Sequence, residues 1–171
     1  MNMQMMARAW YVYTLTERPS MLGIMALVNA LPMLFLSLFG GVMADRVQKK
    51  YVLLAGQAAS GVVSLGIALS ITLGSITASH LIVAALLQGT VMGLMMPSRQ
   101  AIIPEIVGEE GLMNAVSLNA AGMNINRLLA PAAAGLLIDR IGIEGVYYAM
   151  TGLYAMATLL VMALPPTGTI S

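Results

Sequence analysis

The ionisable side chains of this chain are few, and they fall at intervals between long uncharged runs. The densest group is Gly41-Val-Met-Ala-Asp45-Arg46-Val-Gln-Lys49-Lys50-Tyr-Val-Leu53. A carboxylate there can accept hydrogen bonds from free amides at a helix start, or pair with a cation on another helix. That chemistry holds parts together and makes no bonds. Arg8 and Arg127 differ, because each is a guanidinium inside an apolar run. A charge in such a place is costly and usually faces a bundle interior or water. For Arg8 the alternative is a side chain that snorkels to the interface, or a short helix that never inserts. For Arg127 the choice lies between a cavity-facing residue that binds an anion or steadies the bundle, and a structural pair with carbonyls or a polar neighbour. Asn29, Gln88 and Asn124 are polar amides in similar surroundings. Asn29 could point into a cavity or bridge two helices. Bond-making chemistry finds no support. There is no Cys and a single His, His80, so no thiolate nucleophile or His-cluster metal site is expected. Glu105, Glu109 and Glu110 cluster in a polar stretch without His, which reads as a solvated turn. No enzyme, cofactor or metal is expected.

The elements that hold these residues are long and oily. The composition is 59% hydrophobic and 9% charged, with mean hydropathy +0.87, whereas a soluble domain carries about 25% charged residues. The chain therefore reads as an all-α integral membrane protein in a cell (inner or plasma) membrane, with the lipid bilayer as its first partner. A net charge of +1 leaves no footprint for nucleic acid. Apolar runs at 21–44, 51–73, 77–96, 112–138 and 146–164 are each near the length of about 20 residues that crosses a membrane. Residues 1–15 lack the basic start and cleavage site of a signal peptide and are too short to span. They read as the distal part of a first span, with Trp10, Tyr11 and Tyr13 suited to an interface belt. Pro32 and Pro131 should bend the spans that contain them. Gly56, Ser60, Ser64, Ala68 and Thr72 form one ladder of small residues, and Ala85, Gly89, Gly93 and Pro97 form another. Such faces let neighbouring helices approach closely. Residues 97–111 read as the longest polar connection. Arg46, Lys49, Lys50 and Arg99 on one side outnumber Arg18 and Arg140 on the other, which places the Asp45 turn in the cytoplasm.

At these residues the chain resembles the major facilitator superfamily. The loop signature between that family's second and third helices is G-x-L-A-D-R-x-G-R-K-x-x-L. Gly41, Ala44, Asp45, Arg46, Lys50 and Leu53 match it, Lys49 is conservative, and Met43 and Gln48 depart. Gln88-Gly89 resemble part of the fourth-helix motif R-x-x-Q-G-x-G, with Ala85 in place of the arginine linked in the family to proton coupling. Pro97 to Val107, followed by Leu112-Met-Asn114-Ala-Val-Ser-Leu-Asn119, resembles the branch that includes enterobactin exporters and macrolide-efflux proteins. Arg127-Leu-Leu-Ala130-Pro131-Ala-Ala-Ala-Gly135 is similar to the fifth-helix motif of exporters. Gly135-x-x-x-Asp139-Arg140 repeats the form of Gly41-x-x-x-Asp45-Arg46 three spans later, as an inverted three-plus-three repeat would.

The resemblance implies the N-terminal six-helix half of a major facilitator fold, with its first helix truncated. Its partners would be a missing C-terminal six-helix half and a small-molecule substrate. It implies an exporter of a small amphipathic drug or siderophore-like compound working by alternating access, and a chain that is a fragment or half. Gly41, Asp45, Arg46, Lys49, Lys50 and Arg99 would form the switch loop, with Arg99 the candidate partner of Asp45. Arg8, Asn29, Gln88, Asn124 and Arg127 would line the cavity. Pro32, Gly89, Gly93, Pro131 and Gly135 would set packing and bends. A half-size transporter acting as a dimer and a non-transporting membrane assembly subunit are the alternatives.

Overall fold

In lipid a backbone must satisfy its own polar groups, which leaves an oily chain the helix or the closed barrel, and runs of this length suit the helix. In a computed structural model of the protein the described residues are 2–46 and 48–163, with side chains described for all of these but 2, 38–46, 105 and 106. They form helices and short connections, with no strand among them. The first three helices are α1 (Asn2–Thr16), α2 (Pro19–Arg46) and α3 (Lys49–Thr72). The helical run Ala78–Met162 is interrupted at Gly108 (φ 67°, ψ −177°) and Gly142 (φ 73°, ψ 169°). It is thus three helices, α4 (78–107), α5 (109–141) and α6 (143–162). The backbone at both breaks lies in a region that is essentially glycine's alone.

The connections are short and locally determined. Glu17 (φ 52°) closes α1, its amide donating to the Tyr13 carbonyl at 2.8 Å, and Pro19 opens α2 where its missing N–H costs nothing. Gly74 (φ 65°) ends α3, with its amide donating to Ile71 O at 2.9 Å and that of Ser75 to Ser70 O at 3.0 Å. At the start of α4 the Thr77 amide donates to His80 Nδ1 at 3.2 Å. In accepting this bond His80 Nδ1 caps the first turn of α4. At the opposite end of the bundle Lys50 Nζ donates to Met162 O at 2.9 Å. A cation on the last carbonyls of α6 complements the negative end of that helix.

Among the described residues four stretches are long and apolar enough to cross a membrane: Pro19–Ser37, Lys49–Thr72, Ala78–Pro104 and Val107–Met162, the last containing the breaks at Gly108 and Gly142. The outer surface is oily, with Leu34, Phe35, Val62, Leu128 and Leu159 all exposed. That is the reverse of a soluble protein and suits lipid contact. The main core draws on Ala7 and Val12 of α1, Met25 of α2, Ile67 and Ala68 of α3, Leu81, Ala84 and Ala85 of α4, and Ile143, Val146, Tyr147 and Met150 of α6. A smaller cluster of Leu53, Met95 and Ile102 ties α3 to α4 nearer the other end. α5 contributes little to either core.

Residues 97–111 depart from the sequence expectation of a polar connection. α4 runs straight through Pro97 and Pro104 and stops only at Gly108. Each proline removes one amide from the ladder, but Ser98 and Ile102 are buried and hold this segment against its neighbours. Burial of that face decides the matter, and the turn shrinks to the one glycine.

Small residues lie at two of the helix crossings. On α3, Gly56, Ser60, Ser64 and Ala68 are buried, while Thr72 is exposed and lies 3.1 Å from the Tyr148 hydroxyl. Ser64 Oγ donates to Tyr147 O of α6 at 3.0 Å. We expect Ser64→Ala to cost about 0.6 kcal/mol, the average for hydrogen bonds between membrane helices. Ser70→Ala, which loses only a bond to Gly66 O of its own helix, should be neutral. Thermal unfolding of the two variants in detergent checks the difference. At the α2–α4 crossing, Gly89 faces Asn29 and Pro32, and Gly93 faces Met33 and Leu36.

Candidate functional site

Two of the cavities between these helices are lined by polar groups at depths where polar groups are rare. The larger, of about 750 Å³, lies between α4 and α5 and reaches Met33 of α2, Gln57 of α3 and Tyr154 of α6. Its polar lining is Gln57, Arg99, Asn119, Asn126, Arg127 and Tyr154. Its walls are rich in methionine, with Met33, Met92, Met95, Met96 and Met123. Thioether side chains are flexible and polarisable, so they can repack around ligands of different shape. Two guanidiniums stand in this cleft, with no carboxylate among its described lining residues. Gln57 Oε1 is buried with no hydrogen-bond partner. The arrangement suits an amphipathic ligand that carries negative charge.

The α5 residues reach the cleft through helical spacing. Asn119, Gly122, Met123, Asn126 and Arg127 follow one another at three- and four-residue steps and share one face. Asn124 is off that face; it is exposed and lines neither cavity. Pro131 lies inside α5, half-buried. Nothing stands within 4 Å of where a Cβ would sit on Gly135. Gly135 therefore makes no close helix contact among the described residues, because it lies on the exposed face of α5, while Ala130, Ala134, Leu137 and Ile138 turn toward the bundle.

The second cavity, of about 80 Å³, lies between α1, α2 and α4. Arg8, Asn29 and Gln88 meet there, three residues from three helices, with Met5, Leu22, Met25, Ala85 and Met92 around them. Met92 lines both cavities, so the two adjoin. Ala85, where the sequence resemblance places an arginine, stands on the wall of this cavity, and the guanidinium within it comes from α1 instead.

Arg8 belongs to a buried polar cluster that sequence reasoning did not assemble. Its guanidinium faces the hydroxyls of Tyr147 and Tyr154 on α6. Tyr154 donates to Gln4 Oε1 at 3.1 Å. Gln88 Nε2 donates to Ser60 Oγ at 3.3 Å. Gln4 and Arg8 are one helical turn apart, and Tyr147 and Tyr154 two turns apart, so each pair shares a face. That i, i+4 spacing of Gln4 and Arg8 is the one signal the sequence carried. Of the switch-loop residues, Lys49 and Lys50 are half-buried and Arg99 is exposed at the cleft. The side chains of Gly41, Asp45 and Arg46 lie outside the described residues, and so does the expected pairing of Asp45 with Arg99.

Along residues 1–167 the chain matches a family described as transmembrane secretion effectors. It is 31% identical over 149 residues to the staphyloferrin A transporter of Staphylococcus aureus, a match covering 86% of this chain and 36% of that protein. It is 29% identical over 130 residues to the enterobactin exporter EntS of Shigella boydii serotype 18, covering 74% of this chain and 31% of the exporter. The same exporter of Escherichia coli is 28% identical over the same length. The chain thus spans about a third of the length of the curated relatives it matches.

Proposed function

Since this chain belongs to the transmembrane secretion effector family, in the siderophore-exporter branch of the major facilitator superfamily, we propose that it supplies the first six helices of a secondary exporter in the cell membrane. The substrate is a small amphipathic, siderophore-like compound with negative charge. The observation that carries this reading is the cleft of about 750 Å³ on α4 and α5, where Arg99 and Arg127 stand among amides and methionines with no described carboxylate. A further set of helices closes the cleft from its open side and makes the other half of the substrate path. Alternating access then needs only a small free-energy difference between two packings of the halves, since a few kcal/mol moves such a balance. The names of the relatives, an enterobactin exporter and a staphyloferrin A transporter, support the substrate class, and that of the enterobactin exporter supports the outward direction.

The test is export by the complete gene product, expressed in cells that lack their own siderophore exporters. We expect outward movement of enterobactin or staphyloferrin A. Arg127→Gln should lower it about 10-fold or more at equal protein abundance, the worth of one charge-assisted hydrogen bond to the substrate. Inward movement would overturn the exporter reading. Export unchanged in Arg127→Gln and Arg99→Gln would remove the cleft from the path.

A further inference from the structure

The smaller cavity holds a charge with no carboxylate beside it among the described residues. Arg8 is 4% exposed, and its Nε and Nη2 have no hydrogen-bond partner. Gln88, also 4% exposed, leaves Oε1 without a partner, and Asn29 leaves Oδ1 without one. All three line the same space of about 80 Å³. They also lie at one depth. Arg8 is about 12 Å from the end of α1, and Asn29 and Gln88 are each about 15 Å from the starts of α2 and α4, at about 1.5 Å per residue.

No carboxylate is among the described residues that line this space. Of the described acidic side chains, Glu17, Glu109, Glu110, Asp139 and Glu144 fall at helix ends or in connections. A guanidinium does not shed its proton to escape burial. It needs an anion, or it pays the full cost of an isolated charge. The hydroxyl of Tyr147 offers one neutral oxygen and no charge.

The remaining walls select the kind of anion. Met5, Leu22, Met25, Ala85 and Met92 would strip water from an inorganic ion and give nothing back, whereas they suit an apolar body. The volume admits one small head group and not a large molecule. The Gln88 amide can turn over without losing its bond to Ser60, whose hydroxyl then donates instead. That turn brings Nε2 into the cavity as a second donor beside Arg8.

We infer that the cavity between α1, α2 and α4 is a binding site for an organic carboxylate on an apolar body, with Arg8 as the charge partner and Gln88 and Asn29 as neutral contacts. The site goes beyond the transport reading and does not depend on it, since export through the larger cleft could persist without it and binding could persist without export.

The test is equilibrium binding of radiolabelled benzoate to the purified complete gene product in detergent, with benzamide as the uncharged competitor of the same shape. We expect saturable benzoate binding that benzamide does not displace. Arg8→Gln should weaken it about 10-fold or more, and Arg8→Lys, which keeps the charge but loses the fork, should weaken it less. Wild-type protein that binds benzoate no better than benzamide overturns the proposal even if the Arg8 variants fail to fold. Wild-type protein that binds no benzoate also overturns it, and that is the result if a carboxylate elsewhere in the gene product already neutralises Arg8. Equal benzoate affinity in wild type and Arg8→Gln overturns it as well.

Discussion

Gly89→Val should leave no folded protein in the membrane, and Gly89→Ala should lower the unfolding temperature measurably. The α2–α4 crossing dictates this. A Cβ at Gly89 would collide with the Asn29 carbonyl oxygen and lie 2.9 Å from Pro32 Cγ and 3.0 Å from Asn29 C. The obstacle is backbone, which cannot swing aside as a side chain can. Gly93, one turn on, would meet Met33 O and Leu36 Cβ, each at 3.0 Å, so α4 cannot pivot away about that point. Overpacking costs about 1–3 kcal/mol for an added methyl-sized group, and more where whole helices must separate. Alanine gains at most about 1 kcal/mol over glycine inside a helix, so the clash wins. Gly66 supplies the control, since nothing lies within 4 Å of its missing Cβ. Gly66→Ala should be neutral or slightly stabilising. Abundance in membranes and thermal unfolding in detergent check both, and a stable Gly89→Val would show that the two helices do not cross here.

Gly142→Ala should also destabilise, for a different reason. Its backbone sits at φ 73°, ψ 169°, a region that costs a residue with a side chain about 1–3 kcal/mol. A Cβ would also lie 2.8 Å from Glu144 Oε1, but that carboxylate is exposed and can move away. The backbone therefore sets the cost. Gly142→Ala combined with Glu144→Ala should be no more stable than Gly142→Ala in the same background, and a full rescue would show that the carboxylate contact is the true constraint. The same comparison holds at Gly108, where φ is 67° and nothing lies within 4 Å. There the strain should appear alone.

Much of this was legible in the sequence because lipid leaves a chain few choices. Runs of uncharged residues punctuated by Arg18, Lys49, Lys50 and Arg140 could only be helices and turns. The extent of α4 was not legible, because Pro97, Pro104 and three glutamates read as a connection, and only the burial of Ser98 and Ile102 shows otherwise. Arg8, Asn29 and Gln88 could each be singled out as a polar group in an oily run. That they meet is a property of three helices crossing, which no local spacing encodes. On α5, helical periodicity separates Asn126 and Arg127 from Asn124, yet which face turns to the cleft depends on α4. Tyr147 and Tyr154 are not legible as partners of Arg8, since tyrosine in a membrane chain suggests an interface, whereas here Tyr147 is fully buried beside Arg8.

The hydroxyls on α3 bear on the timing of assembly. Ser64 bonds to Tyr147, 83 residues further along the chain. During synthesis α3 must lodge in lipid long before α6 emerges. A serine can wait, because its hydroxyl can turn back on the carbonyl four residues earlier, as Ser70 does at 2.8 Å. When α6 arrives, Ser64 exchanges that internal bond for one to the newcomer at little net cost. A helix destined for close packing against α6 thus needs no chaperoning companion while the ribosome finishes the rest.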